Sequence, residues 1–163
     1  MKNKQKPEGM PIWFDGKSIN EALFCEEFLQ THKIIFTNGA FFTPEGRVTD
    51  ELPLRGEIFE ELKCCAVSNI PRKISNIVEL MKLVALVEDF PPEPDRIHLS
   101  NGTLFLDGKF VEGKPEIVRN RFPVAYNPGA SKPILWLKFL DGLLYPEDIP
   151  TLQEYIGYCL IPS

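Results

Sequence analysis

The run Phe90-Pro91-Pro92-Glu93-Pro94-Asp95 constrains this chain more than any other stretch. Proline lacks an amide donor and pushes the preceding residue out of the helical region, so the run ends any helix that reaches it. It also stiffens the connection that follows. Before it the chain reads as helices around a hairpin, and after it as a β-meander followed by helices. In 163 residues, either side alone is small for a hydrophobic core. The break therefore predicts a lead-in at 1–11 and two subregions of one domain, 12–93 and 94–163. The expected fold class is α+β and helix-rich: about five helices with two small antiparallel hairpin or meander segments in a single compact domain.

On the first side, Ser18-Ile19-Asn20-Glu21 matches a capping box and predicts a helix running to about His32. The segment IIFTNGAFFTPEGRVTD, residues 34–50, suits strands and contains a Pro-Glu-Gly turn. Asp50 or Glu51 ahead of Pro53 opens a second helix, with Leu54, Ile58, Leu62 and Ala66 spaced four apart. Asn69-Ile70-Pro71 breaks it. A third helix is expected from about Arg72 to Glu88, with Ile74, Ile77, Val78, Met81, Val84 and Ala85 on one face. Leu80, Leu83 and Val87 widen that face and predict deep burial.

Beyond the prolines, IHLSNGTLFLDGKFVEGKP, residues 97–115, echoes the earlier segment. Strands are expected at 97–100, 103–106 and 109–112, joined at Asn101-Gly102 and Asp107-Gly108, where both residue types accept positive φ. The two echoing segments thus read as hairpins made with one turn chemistry. The stretch from Pro115 to Asn127 is extended and ends in the turn Asn127-Pro128-Gly129. Two helices follow. Pro133 lies in the first turn of one, whose core face is Trp136, Phe139, Leu140, Leu143 and Leu144. Asp148 caps the other, whose core face is Leu152, Tyr155, Ile156, Cys159 and Leu160. Gly157, costly in a helix interior, predicts close packing against another backbone.

The chemistry-bearing residues are few. Four cysteines include no C-x-x-C pair, and the two histidines, His32 and His98, are far apart, so no zinc ligand set is spelled out. Cys64 and Cys65 read as buried reduced thiols. His98, alternating with Ile97 and Leu99, reads as an outward-facing strand residue, and His32 as a helix-terminal cation. Glu26-Glu27 and Glu60-Glu61 read as solvated helix faces. Neither a Walker A loop, a dinucleotide-binding glycine pattern nor a G-x-S-x-G elbow occurs. No catalytic, metal-ligating or cofactor-binding residue is therefore assigned. A net charge of −5 disfavours an autonomous nucleic-acid binder, although Lys114, Arg119, Arg121, Lys132 and Lys138 form a locally basic segment able to face DNA phosphates. No apolar run is long enough for a membrane span or a secretory leader, which predicts a cytoplasmic protein with no membrane partner.

From the proline break onward, four stretches occur in an order that carries a resemblance. They are Asn101-Gly102-Thr103-Leu104-Phe105-Leu106-Asp107, then Arg119 through Tyr126-Asn127-Pro128, then WLKFLDGLL at 136–144, then TLQEYIGYCLIP at 151–162. Together they resemble the region just upstream of the superfamily-three helicase domain in phage, plasmid and poxvirus primase–helicases. The residues matching that pattern are Asn101, Gly102, Trp136, Phe139, Leu140, Gln153, Glu154, Gly157 and Tyr158. The resemblance implies a non-catalytic collar or linker module, part of a larger protein whose ATPase follows the Gly-Tyr helix. That module would help couple primase to a hexameric helicase and guide DNA in replication. ATP and magnesium would belong to the ATPase domain, and the implied partners are that domain, DNA in the full assembly, and further copies of the chain. By their own chemistry the matching residues read as turn formers, core and helix packing, with contact to the ATPase as the alternative role of Gln153 and Glu154; the ATPase would cover the Tyr155–Ile161 surface. Two alternatives stand beside this reading: a DNA-binding module using the Lys114–Lys138 segment, and a small metal-dependent enzyme with an unrecognised carboxylate site.

Overall fold

The computed structural model describes residues 10–65 and 68–161. Residues 1–9 of the expected lead-in, Ala66 of the second helix and Pro162 of the family pattern lie outside the described residues. The fold class is α+β, with five α-helices and two three-stranded antiparallel sheets among the described residues. The chain divides into two compact units: residues 1–90 with 116–118, and residues 91–115 with 119–163. The break thus falls at Phe90–Pro91, a few residues before the expected boundary, and 116–118 returns to the first unit. There Val118 is fully buried and its amide donates to the Thr43 carbonyl at 3.2 Å.

In the first unit, α1 (Glu21–His32) is followed by a meander of β1 (Ile35–Thr37), β2 (Ala40–Thr43) and β3 (Gly46–Arg47). Then come α2 (Glu51–Leu62), a 3-10 turn at Lys63–Cys65, and α3 (Ile70–Val84). The cap of α1 is Asn20, whose Oδ1 accepts from the Leu23 amide at 3.2 Å. The expected cap, Ser18, is engaged elsewhere: its hydroxyl and amide both donate to Asp15. The amides of Ser18 and Lys17, and then the Ser18 hydroxyl, hold the Asp15 carboxyl below its usual range. Asp50 caps α2 by accepting from the Leu52 amide at 2.9 Å. Thr37 pairs with Ala40 across Asn38-Gly39, with φ of 50° and 75°, the left-handed pair that a tight primed hairpin turn requires.

The spacing read from α2 and α3 does build the core, and α1 adds Phe24 and Phe28 to it. Phe24, Phe28, Ile58, Leu62, Ile77, Val78 and Met81 are buried, with Trp13 set edge-on to Phe24 at 5.0 Å and Phe28 stacked on Phe24 at 5.6 Å. The expected extent of α3 is wrong at its end. The helix stops at Val84 because Ala85–Val87 leaves to pair with β1: the Phe36 amide donates to the Ala85 carbonyl, and the Val87 amide to the Phe36 carbonyl. Leu83, expected in the core, is 73% exposed, and Val84 is exposed beside it.

The second unit is organised on a meander of β4 (Arg96–Leu99), β5 (Gly102–Phe105) and β6 (Phe110–Glu112), followed by α4 (Ile134–Leu143) and α5 (Asp148–Tyr158). Here the echo breaks down. Leu99 pairs with Gly102, so the turn residues are Ser100-Asn101 and Gly102 is a strand residue, with no positive φ at Asn101 or Gly102. A Cβ on Gly102 would stand 2.2 Å from the Val111 carbonyl oxygen and 2.6 Å from the Phe110 ring. This glycine is demanded by close approach rather than by turn conformation. Gly108, with φ of 90°, does serve its turn as expected. Pro133 immediately precedes α4, and Asp148 is the first residue of α5 rather than its cap.

Candidate interaction surface

The second unit holds its β-meander with an extended strap, residues 119–126. The Phe122 amide donates to the His98 carbonyl at 2.9 Å, and the Ser100 amide to the Val124 carbonyl at 3.0 Å. Asn101 continues this pairing with its side chain: Nδ2 donates to the Tyr126 carbonyl at 3.0 Å, and Oδ1 accepts from the Tyr126 amide at 2.8 Å. An asparagine amide carries one donor and one acceptor in plane, so it can pair with a peptide group as a strand does.

Arg121, within the strap, is only 9% exposed, and its Nη1 donates to the carbonyls of Leu99 at 2.6 Å and Gly102 at 3.3 Å. That burial runs against the expected DNA contact, since Nη1 is engaged with backbone carbonyls. Of the remaining basic candidates, Lys114 and Arg119 are half-buried, whereas Lys132 and Lys138 are exposed. The structure thus does not present the five as one uniform exposed strip.

His98 also departs from expectation. It is 3% exposed, opposite Thr103 in the register, with Nδ1 3.0 Å from Thr103 Oγ1 and Nε2 2.9 Å from Glu93 Oε2. Glu93 additionally holds Arg96 Nη1 at 3.1 Å. Arg96 in turn pairs with Asp95, whose carboxyl it holds below the usual range, and lies over the Phe105 ring at 4.8 Å. The hydroxyl–imidazole–carboxylate series spans the base of the meander and ties the proline-rich segment to it.

The two C-terminal helices overturn the largest block of sequence expectations. Leu140 is fully buried and Leu137 and Leu144 are half-buried, but Leu135, Phe139 and Leu143 are 85%, 55% and 61% exposed. Residues four apart share a helix face, so 135, 139 and 143 form a continuous exposed apolar ridge. Trp136 flanks it, stacked on Phe139 at 5.7 Å. Seven of the ten residues of α4 are apolar, spread around most of the circumference, and the second unit covers only one side. That near-continuous apolarity was the available signal for the ridge, which the expected single core face hid. In α5 no residue is buried, and Tyr155, Ile156 and Tyr158 are exposed, as is Leu160 just beyond the helix. Gln153 and Glu154 are exposed, and a Cβ on Gly157 would meet nothing within 4 Å, so nothing in the described chain packs against it. These exposed apolar residues make α4 and α5 the candidate interaction surface of the second unit.

The thiols of the first unit differ in their surroundings. Burial pushes the Cys25 thiol from 9.0 up to about 11, helped by Glu21 and Glu26, and burial with a contact to Cys64 raises Cys65 to about 11. Cys64 is exposed, against expectation, because the 3-10 turn carries it outward with its Sγ 3.4 Å from that of Cys65. Glu61 is also only partly solvated; burial raises its carboxyl pKa, and His32 Nε2 at 3.7 Å opposes the rise. His32 stacks on Phe28 at 3.9 Å while its Nδ1 meets the Phe28 carbonyl at 3.0 Å. The thiol shifts fix a sign. Unfolded thiols ionise near pH 9 and the buried ones only near 11, so the unfolded state loses protons first and stability falls as pH rises from 9 to 11. Urea titrations at pH 8 and pH 10.5 are expected to show that loss and to show less of it in Cys25→Ala. An equal loss in both proteins would remove Cys25 as its source.

Among the described residues no three His, Cys, Asp or Glu side chains converge as a metal site, and no helix is long and apolar enough to cross a membrane. No family model matches the chain, and no curated protein matches it in sequence.

Proposed function

We propose that the chain is a non-catalytic accessory module of a phage- or plasmid-type DNA primase–helicase, a collar or linker that couples the primase to the helicase motor. The observation that carries this reading is the state of α5. The helix bearing Gln153, Glu154, Gly157 and Tyr158 of the family pattern buries none of its residues and presents Tyr155, Ile156 and Tyr158 uncovered, with Leu160 exposed just past its end. A helix with apolar and aromatic residues left in water is suited to being covered by a neighbouring domain. In this reading the cover is the superfamily-three ATPase of the same replication protein, with Gln153 and Glu154 at the polar rim. ATP and magnesium act on that domain and not on this one.

The reading predicts a Walker A sequence in or immediately beside the gene, and amide exchange in 148–160 that slows when that ATPase domain is added. Tyr158→Asp with Ile156→Asp is expected to abolish the protection. Unchanged exchange in α5, or a gene with no such ATPase in or beside it, would overturn the reading. A second reading, a DNA-binding module, keeps one supporting observation: Lys132 and Lys138 are exposed cations near the N-terminal half of α4.

A further inference from the structure

The ridge of α4 has a counterpart in the first unit. A groove of about 330 Å³ runs between the second half of α1 and the segment that leaves α3, lined by Leu29, Ile34, Ile35, Val84, Leu86 and Val87. Leu86 is 58% exposed at its lip, and Leu83 and Val84 extend the apolar surface beside it. Its lining carries a single charge, Glu26, and one uncharged polar side chain, Gln30.

We propose that the Leu135–Phe139–Leu143 ridge of one copy seats in this groove of a second copy, making a heterologous contact between identical chains. Three observations select that occupant. The ridge is a row of knobs spaced four apart, the row that enters a groove when helices pack. Its polar edge is formed by Lys138 and Gly142, again four apart. Lys138 brings a cation to the Glu26 rim, and Gly142, where a Cβ would meet nothing within 4 Å, leaves space for close approach. The one carboxylate of α4, Asp141, is two residues from Phe139 and so falls on the side of the helix away from the ridge, whereas the groove offers Glu26. Among the described residues, neither Lys138 nor Glu26 has an ion pair within the chain. Because ridge and groove are different patches of one chain, each added copy leaves one of each open. Such contacts propagate into a ring or an open filament.

Sedimentation velocity of the 163-residue chain alone tests this without any ATPase domain, and so separately from the α5 reading. Association that grows with concentration past the dimer is expected. Phe139→Asp removes the ridge and Leu86→Asp blocks the groove. Both positions are more than half exposed, and each variant is expected to associate more weakly by about 30-fold or more. Mixed together, the two are expected to form a 1:1 dimer that grows no further, because one supplies the groove and the other the ridge. Lys138→Glu is expected to weaken assembly several-fold, and Glu26→Lys in the same chain to restore it. A chain that stays monomeric at high concentration would overturn the proposal. So would loss of association with Phe139→Asp but not Leu86→Asp, or a mixture that remains monomeric.

Discussion

Alanine at position 102 is expected to break the β5–β6 pairing and to lower the unfolding free energy by about 3 kcal/mol. Alanine at position 39, in the echoing Asn-Gly, is expected to cost only about 1 kcal/mol. The two glycines look alike in sequence and differ in what makes them necessary. Gly39 sits at φ 75° with open space where its Cβ would be, so alanine meets only the intrinsic cost of a left-handed conformation. Gly102 has an ordinary strand conformation and no space: the added methyl lies 2.2 Å from the Val111 carbonyl oxygen. That oxygen belongs to backbone, so relief means moving β6 away and giving up the Gly102–Glu112 and Thr103–Val111 pairings.

Urea unfolding of both variants, with amide exchange read separately at 96–112 and at 35–47, checks the contrast. The expected pattern is fast exchange across β4–β6 in Gly102→Ala and a small, local effect at the hairpin in Gly39→Ala. Equal destabilisation of the two, or a Gly102→Ala variant within about 0.5 kcal/mol of the parent, would mean that the close approach is not a constraint on the fold.

Sequence carried the first unit further than the second, for a physical reason. In α2 and α3 the buried stripe is bounded by polar residues, so periodicity locates it: Ile58, Leu62, Ile77, Val78 and Met81 are where the spacing puts them. What periodicity missed was competition for backbone partners. Ala85–Val87 continues the apolar pattern of α3 but satisfies its peptide groups on β1 instead. His98 misled in a related way. Strand alternation placed it on the face opposite Ile97 and Leu99, and the inference to solvent failed because Glu93 and the facing Thr103 enclose that face. In α4 apolar residues occupy two adjoining stripes, and local pattern does not say which of them the chain itself covers. Leu137, Leu140 and Leu144 turned inward, so the ridge at 135, 139 and 143 emerges only from the folded unit.

Replacing Arg121 by glutamate separates a structural role from a nucleic-acid role, and the expected result is loss of about 3 kcal/mol or more of stability in the second unit. The native guanidinium donates to the carbonyls of Leu99 and Gly102, the two residues that close the β4–β5 turn. A carboxylate there removes both donors and sets a buried anion against acceptor oxygens. Leucine or methionine at the same position leaves those bonds unmade without the added charge, and is expected to cost about 2 kcal/mol. Since the strap is otherwise held by the backbone pairs of Phe122 and Val124 and by Asn101, its amides are expected to exchange faster in either variant. Phosphate contact predicts a different ordering: Arg121→Glu would lower DNA affinity at unchanged stability. The exposed pair offers the comparison. If the Lys132→Glu/Lys138→Glu double variant weakens binding to duplex DNA and flattens the slope of log affinity against log salt by about 2, those two lysines meet phosphates. If Arg121→Glu does the same while its thermal unfolding matches the parent, the burial of Arg121 is not what holds the turn, and the strap itself becomes the DNA-facing surface.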